Sequence, residues 1–241
     1  MRVSLTPSVI IHQRPYRETS LLLEVFSRDY GRVTLVAKGV RRNRKKSQSL
    51  YQANRKLCLS WSGRGELGTL IEIEADGPDF NLAGKSLISV FYINELLIRL
   101  LHRHEAHPAL YDAYLKTLTR LEYGEPEQLC LRYFEKHLLD TIGYGLILDH
   151  DLESGLPLSS DQDYFYSINE GPFLTKPSAA AGASISGKTL LALDSENLDE
   201  DCGVAELKQL MRLTLSTYLG DKPLASRELF KAYAKQSKEA M

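Results

Sequence analysis

The sequence predicts an α+β multidomain protein: a small N-terminal β-barrel, then a mainly α-helical part carrying a small irregular or β insert. Three observations predict it. Five short runs of alternating apolar residues fall within about the first 75 positions, the spacing of a small barrel. Near Gly77-Pro78 the apolar period changes from two to that of a helix. From 146 to 186 the chain turns rich in Asp, Ser, Gly and Pro before helical periodicity returns. The boundaries read from these changes are 1–79 for the barrel, 80–145 for a central helical domain, 146–183 for the insert, and 184–241 for C-terminal helices packed on the central domain.

The strands come first. Residues 8–14 form a short apolar run, and residues 19–26 alternate with apolar groups on both faces. Asp29-Tyr30-Gly31 supplies turn chemistry, so this run and Val33-Leu35-Ala37 form a hairpin. Leu57, Leu59 and Trp61 alternate next, and Trp61 reads as core. After the turn Ser62-Gly63-Arg64-Gly65, residues 67–74 make the fifth run.

The helices follow. From Leu82 to about His104 the pattern is helical and apolar nearly all round, which predicts a central, buried helix. Its apolar run is interrupted by Asn94, Glu95 and Arg99 and is too short to span a membrane. Pro108 starts a second helix through Tyr123, and a third runs from about Glu127 to Ile142, ended by Gly143. Together these read as a three-helix unit. Short β-prone pieces at Tyr164–Tyr166 and Phe173–Thr175 mark the insert. Helical patterns resume over 184–193, with Ser186 as a cap, then over Val204–Leu219 and 226–236.

Charge is the functional signal. No Asp or Glu occurs from Tyr30 through Gly65. The same stretch carries ten basic residues: Arg32, Lys38, Arg41, Arg42, Arg44, Lys45, Lys46, Arg55, Lys56 and Arg64. The whole chain has a formal charge of −1, so its remainder carries −11. Such polarity points to a polyanion, with nucleic acid foremost. A charge run is often only a solvated face. Here the run sits between strands of a barrel, with Tyr30, Tyr51 and Trp61 in or near it, and barrels of the OB type bind single strands by a cationic groove plus aromatic stacking. These ten cations and Tyr51 are the candidate nucleic-acid contacts. The C-terminal Lys222, Arg227, Lys231, Lys235 and Lys238 either extend that surface or suit a helix dipole.

Other constellations are weaker. His102, His104 and His107 lie close to Glu105, but residues two apart on a helix point about 200° apart, and the spacing is not HExxH. No phosphate-cradling loop, nucleophile elbow or carboxylate cluster of nuclease type occurs, so no catalytic residue, metal or cofactor is assigned. Cys58, Cys130 and Cys202 are scattered, with no CxxC pair, which suits reduced thiols of a cytoplasmic protein; no secretory signal is read at the N-terminus. On the third helix, Leu131 shares an apolar face with Phe134, Leu138 and Leu139, while Arg132 and Lys136 stand at its edge. That face is either core, or a groove for an acidic-hydrophobic peptide ending in a carboxylate. From residues alone the alternatives are a nucleic-acid binder, an OB-fold protein–protein adaptor, an RNA-binding module and a DNA-processing enzyme.

Several segments carry a family resemblance. Arg17-Glu-Thr-Ser-Leu-Leu-Leu, Gly31-Arg-Val-Thr-Leu-Val-Ala-Lys-Gly and Gly63-Arg-Gly-Glu resemble the N-terminal domain of the bacterial RecO family of DNA-repair proteins. Tyr92-Ile-Asn-Glu-Leu-Leu, Gly143-Tyr-Gly and Lys222-Pro-Leu-Ala-Ser-Arg-Glu-Leu-Phe match the same family further on. The resemblance implies an N-terminal OB-fold and a non-enzymatic recombination mediator of the RecF pathway. It implies binding of single- and double-stranded DNA, annealing of complementary strands, and action on DNA coated by single-strand-binding protein (SSB). It further implies contact with the SSB C-terminal tail, where Leu131, Arg132 and Lys136 are the candidates, partnership with RecR, indirect action on RecA, and a nucleoid-associated location in the cytoplasm. Many family members carry a four-cysteine zinc motif after the central helices. Residues 146–180 here contain no cysteine, which resembles the zinc-free branch of enteric-type bacteria and implies an insert held by packing alone.

Overall fold

The computed structural model of the 241-residue chain describes residues 2–42, 48–63, 65–178, 180–199 and 202–239. Arg44, Lys45, Lys46 and Arg64 lie outside the described residues. The chain forms two compact units, residues 1–122 with 224–241, and residues 123–223.

In the first unit, strands β1 (Arg2–Tyr16), β2 (Ser20–Ser27), β3 (Gly31–Ala37), β4 (Lys56–Ser62) and β5 (Leu67–Ala75) close into a barrel of order β1-β2-β3-β5-β4. The expected hairpin is present: β2 and β3 pair antiparallel from Leu21↔Ala37 to Ser27↔Gly31. Strand β1 is longer than the run that signalled it, because it pairs with both β2 and β4 and so seals the barrel. Its register shifts between Val3 and Thr6 and between Ile10 and His12, which lets one strand serve two neighbours. A parallel pairing of β3 with β5 (Thr34↔Leu67 to Val36↔Thr69) completes the circuit. This is the OB-like barrel expected from the sequence.

Alternation explains its core. Leu23, Val25, Val33, Leu35, Leu57, Leu59 and Trp61 point inward and are buried. The opposite face of β2 is apolar too, and for a specific reason. Phe26, fully buried, packs edge-on against Tyr111 (ring centroids 5.5 Å apart) and Tyr114 (6.1 Å) of helix α2 (Pro108–Glu122). A strand covered on both faces reads as a nearly continuous apolar run. Helix α1 (Gly84–Leu100) lies beside α2 and supplies Asn94, whose side chain donates to Ile11 O at 3.0 Å and to Asn54 Oδ1 at 2.7 Å. Helix α6 (Ala225–Glu239) packs on α1, and the Glu95 carboxylate accepts from Ala225 N at 2.8 Å and from Ser226 N at 2.9 Å. Those are orphan donors of the first turn of α6, so Glu95 serves as its cap from a distance of 130 residues.

The second unit contains α3 (Glu127–Thr141), a three-stranded sheet β7-β6-β8, α4 (Gly187–Asp194) and α5 (Val204–Leu219). Its strands are β6 (Asp163–Ser167), β7 (Gly171–Phe173) and β8 (Gly182–Ser186). Ser186 caps α4 as expected, its hydroxyl accepting from Thr189 N at 3.3 Å. Strand β8 occupies the stretch where the sequence suggested the lead into a helix. Its five residues pair with β6 from Asp163↔Ser186 to Ser167↔Gly182. The segment before the sheet is organised by the buried carboxylate of Asp151, which accepts from Glu153 N (2.9 Å), Ser154 N (3.0 Å) and the Ser154 hydroxyl.

The three-helix grouping read over 80–145 is therefore divided. Helices α1 and α2 belong with the barrel, whose outer face they bury; α3 belongs with the sheet and α5. The Tyr133 hydroxyl of α3 accepts from Leu198 N at 2.7 Å, a tie made inside the second unit. Among the described residues no helix is long and apolar enough to cross a membrane.

Candidate nucleic-acid interface

Two turns meet at one end of the barrel. The β1–β2 connection, Arg17–Thr19, is tight because Tyr16 pairs directly with Ser20; Arg17 takes a left-handed conformation (φ 51°) to make it. The chain leaving β3 turns at Gly39 (φ 73°), and Arg42 N donates to Gly39 O at 3.1 Å. The two turns are joined: Arg41 N donates to Thr19 O at 2.9 Å, and the Arg41 guanidinium donates to Arg17 O and Glu18 O, each at 3.3 Å.

The register of β2 with β3 makes this junction. Because Leu21 faces Ala37, the residues just before β2 and just after β3 must lie side by side. Arg14, Arg17, Lys38, Arg41 and Arg42 are all exposed there. None of the five is in an ion pair among the described residues, so their charge is offered to solvent. Arg17 also lies 5.3 Å from the Tyr16 ring centroid, a cation–π contact that steadies it. A cleft of about 570 Å³ opens beside the junction, between Arg14 and Arg41.

Of the residues expected to touch nucleic acid, Lys38, Arg41 and Arg42 are brought together here. Four others are not. Arg32 has a side chain only 14% exposed and pairs with Glu24 at 3.7 Å; Arg103 approaches the same carboxylate at 3.6 Å. Burial pulls the Arg32 guanidinium below its ordinary value against the opposing pull of Glu24. Arg55, likewise 14% exposed, is paired to Asp79. Lys56 places its ammonium 5.5 Å from the Phe80 ring centroid. Tyr51 is a correction of the same kind: the residue is 9% exposed and belongs to the barrel core, so it is no open stacking platform. The physical reason lies outside the stretch 30–65. That stretch holds no acid of its own, but Glu24 and Asp79 reach its arginines from beyond it, Phe80 covers Lys56, and the core takes up the aromatic ring.

The charge count overlooks Arg14 and Arg17. They precede the acid-free window, and Glu18 follows Arg17 directly. The signal that places them is the hairpin register rather than composition.

The α3 candidates are also engaged within their own unit. Leu131 is buried. Arg132 and Glu135 form a buried pair, with Arg132 Nη2 to Glu135 Oε1 and Nη1 to Oε2 both at 2.9 Å. Lys136 donates to Asp194 O at 2.9 Å, capping the end of α4. The face is thus core, with its cations turned to internal acceptors.

The comparisons with known proteins agree with the fold. The family model described as "Recombination protein O N terminal" matches residues 1–77, and "Recombination protein O C terminal" matches residues 83–228. The chain is 46% identical over 229 residues to the DNA repair protein RecO of Nitrosococcus oceani, covering 95% of this chain and 93% of the relative. It is 42% identical over 241 residues to the RecO protein of Alkalilimnicola ehrlichii (99% and 95%), and 43% identical over 228 residues to that of Coxiella burnetii (95% and 98%). On these matches, which span both the barrel and the helical part, the chain belongs to the RecO family.

Proposed function

We propose that the protein acts in DNA repair and recombination by binding single- and double-stranded DNA and annealing complementary strands. In this reading it works on SSB-coated DNA and, with RecR, promotes RecA loading at the nucleoid. The observation that carries the DNA-binding part is the group of five exposed cations, Arg14, Arg17, Lys38, Arg41 and Arg42, without carboxylate partners among the described residues. Family membership supports the repair role.

The mechanism is electrostatic. Two complementary strands repel each other through their phosphates. A cationic surface that neutralises several phosphates releases condensed counterions and lowers the cost of approach. Annealing makes and breaks no covalent bond, so it calls for no general base or nucleophile. Phosphate contacts alone do not distinguish DNA from RNA, which carries the same phosphates and adds the 2′-hydroxyl. For the SSB tail, a peptide carboxylate reaching Arg132 would have to share or displace Glu135, which holds it with two bonds.

The test is annealing of two complementary labelled oligonucleotides. The native chain should accelerate it, and replacement of Arg14, Arg17, Lys38, Arg41 and Arg42 by Ala should cut the rate roughly tenfold or more, since several phosphate contacts are removed together. Equal rates for the two would place the activity elsewhere.

A further inference from the structure

The cleft beside the cationic junction has a chemistry that phosphate binding does not use. Its walls include the apolar Pro15, Leu21, Val40 and part of Tyr51. Gln13, Ser49 and Gln52 add neutral groups that can both donate and accept, and among the described residues no carboxylate lines it. At about 570 Å³ it falls in the size range of sites that enclose a small organic group. A second cleft of about 560 Å³ is lined by the β1–β2 turn, with Arg17 and Lys38 but also the acidic Glu18. The two therefore differ in what they can hold.

We propose that the first cleft receives an unpaired nucleobase of a single strand, while Arg14 and Arg41 at its rim hold the flanking phosphates. This rests on the DNA-binding reading above and specifies its ligand. A bare phosphate would leave the apolar wall and both glutamines without partners. An acidic peptide would find cations but no use for the neutral, two-way hydrogen-bonding groups of the lining. A heterocycle uses all three: ring faces against Leu21 and Val40, edge groups to Gln13, Ser49 and Gln52, and phosphates to the arginines. Arg41 is suited to the rim because two backbone carbonyls already fix its guanidinium. A base inside a duplex is stacked and its pairing edge is occupied, so drawing it out costs the stacking and pairing it loses. The cleft thus favours unpaired strand over duplex, the preference that an annealing protein needs in order to hold substrate and release product.

The experiment compares two single-stranded oligonucleotides of equal length, one with bases and one with abasic residues, so that the phosphates are identical. The native chain should bind the abasic strand about tenfold more weakly, the loss of roughly one stacked base. Ser49→Leu narrows the mouth and Gln52→Leu removes an edge partner; both positions are exposed, so the barrel is expected to fold. Each should bring the ratio between the two strands towards one while leaving the salt dependence of binding unchanged. Arg41→Ala should weaken both strands alike. If the native chain binds both strands equally, the base-binding cleft is overturned and phosphate binding stands. If the ratio persists in both leucine variants, the base is held elsewhere and the assignment to this cleft is wrong. If neither strand binds, the DNA-binding reading itself fails and takes the cleft with it.

Discussion

The side-chain amide of Asn94, in the middle of α1, donates to Oδ1 of Asn54 at 2.7 Å, joining the helical layer to the last residue but one before β4. Asn54 sits at φ 69° and its backbone N–H donates to Ile10 O. The Tyr114 hydroxyl donates to Asn94 Oδ1 at 2.8 Å. All three side chains are buried, so each bond lacks a water substitute. The basic connection between β3 and β4 is thus pinned at its far end by two helices.

Asn94→Leu should therefore destabilise the first unit by about 1–3 kcal/mol, because it removes the donor to Ile11 O and leaves the Tyr114 hydroxyl and Asn54 Oδ1 with their longer mutual bond of 3.4 Å. Urea unfolding would show it as a lower midpoint with an unchanged slope. A midpoint within error of native would mean that these groups find other partners.

Gly31 is a second constraint. It has φ +63°, and a Cβ placed there would lie 1.7 Å from Glu105 O, where the chain after α1 runs alongside the start of β3. His104 N donates to Arg32 O at 3.0 Å in the same place. Gly31→Ala adds a backbone penalty of about 1–2 kcal/mol to a clash with main chain that has no rotamer escape. Thermal melting should fall by several degrees at least, whereas Gly39→Ala, with open space around it, should cost only the backbone penalty.

Glu95 gives a pH dependence. Burial alone would raise its carboxyl, but the bonds from Ser226 and Ala225, helped by Arg99, hold it below the usual carboxylate value of 4.5. A folded value below the unfolded one means stability that is present above pH 4.5 and lost as pH falls through the folded value. The docking of α6 should loosen on acidification in that window. Glu95→Gln should remove the acid-dependent part and leave α6 less protected at neutral pH, as amide hydrogen exchange of 225–230 would report. Protection of that segment unchanged from pH 7 to about pH 3, well below the ordinary carboxylate range, would refute the capping role.

The cations fall into two classes, and substitutions should separate them. Arg32→Ala and Arg55→Ala remove largely buried charges and take a partner from Glu24 or Asp79, so their main effect should be on the unfolding midpoint. Lys38→Ala and Arg42→Ala should leave that midpoint within about 0.5 kcal/mol, as exposed substitutions do, and should act on DNA affinity. The reverse pattern would overturn the division.

The two classes also mark how much of the molecule is legible in its sequence. The β2–β3 hairpin is readable because two β-prone apolar runs flank the turn residues Asp29-Tyr30-Gly31, and both signals are local. Strand β8 is not, since Ala183 and Ile185 are its only fully buried apolar residues and its strand character comes from pairing with β6, about twenty residues away. Charge alone singles out Lys38, Arg41 and Arg42, but not the barrel end at which the β2–β3 register sets them. Charge also singles out Arg32 and Arg55, whose guanidinium groups are paired with Glu24 and Asp79, acids outside the window in which charge is counted. Arg14 and Arg17 escape for the converse reason: only the register Tyr16↔Ser20 with Leu21↔Ala37 sets them beside Lys38.

The central claim, that the barrel end of Arg14, Arg17, Lys38, Arg41 and Arg42 is where DNA phosphates bind, is tested most directly by one measurement. The affinity for a labelled single-stranded oligonucleotide is followed across a salt series, for the native chain and for the variant with all five replaced by Ala. Each phosphate neutralised on a single strand contributes about −0.7 to the log–log slope, so removing about three to five of these pairings should flatten it by roughly 2 to 3.5, with most of the affinity gone at low salt. A variant that keeps the native slope and affinity would contradict the claim and move the site off this end of the barrel.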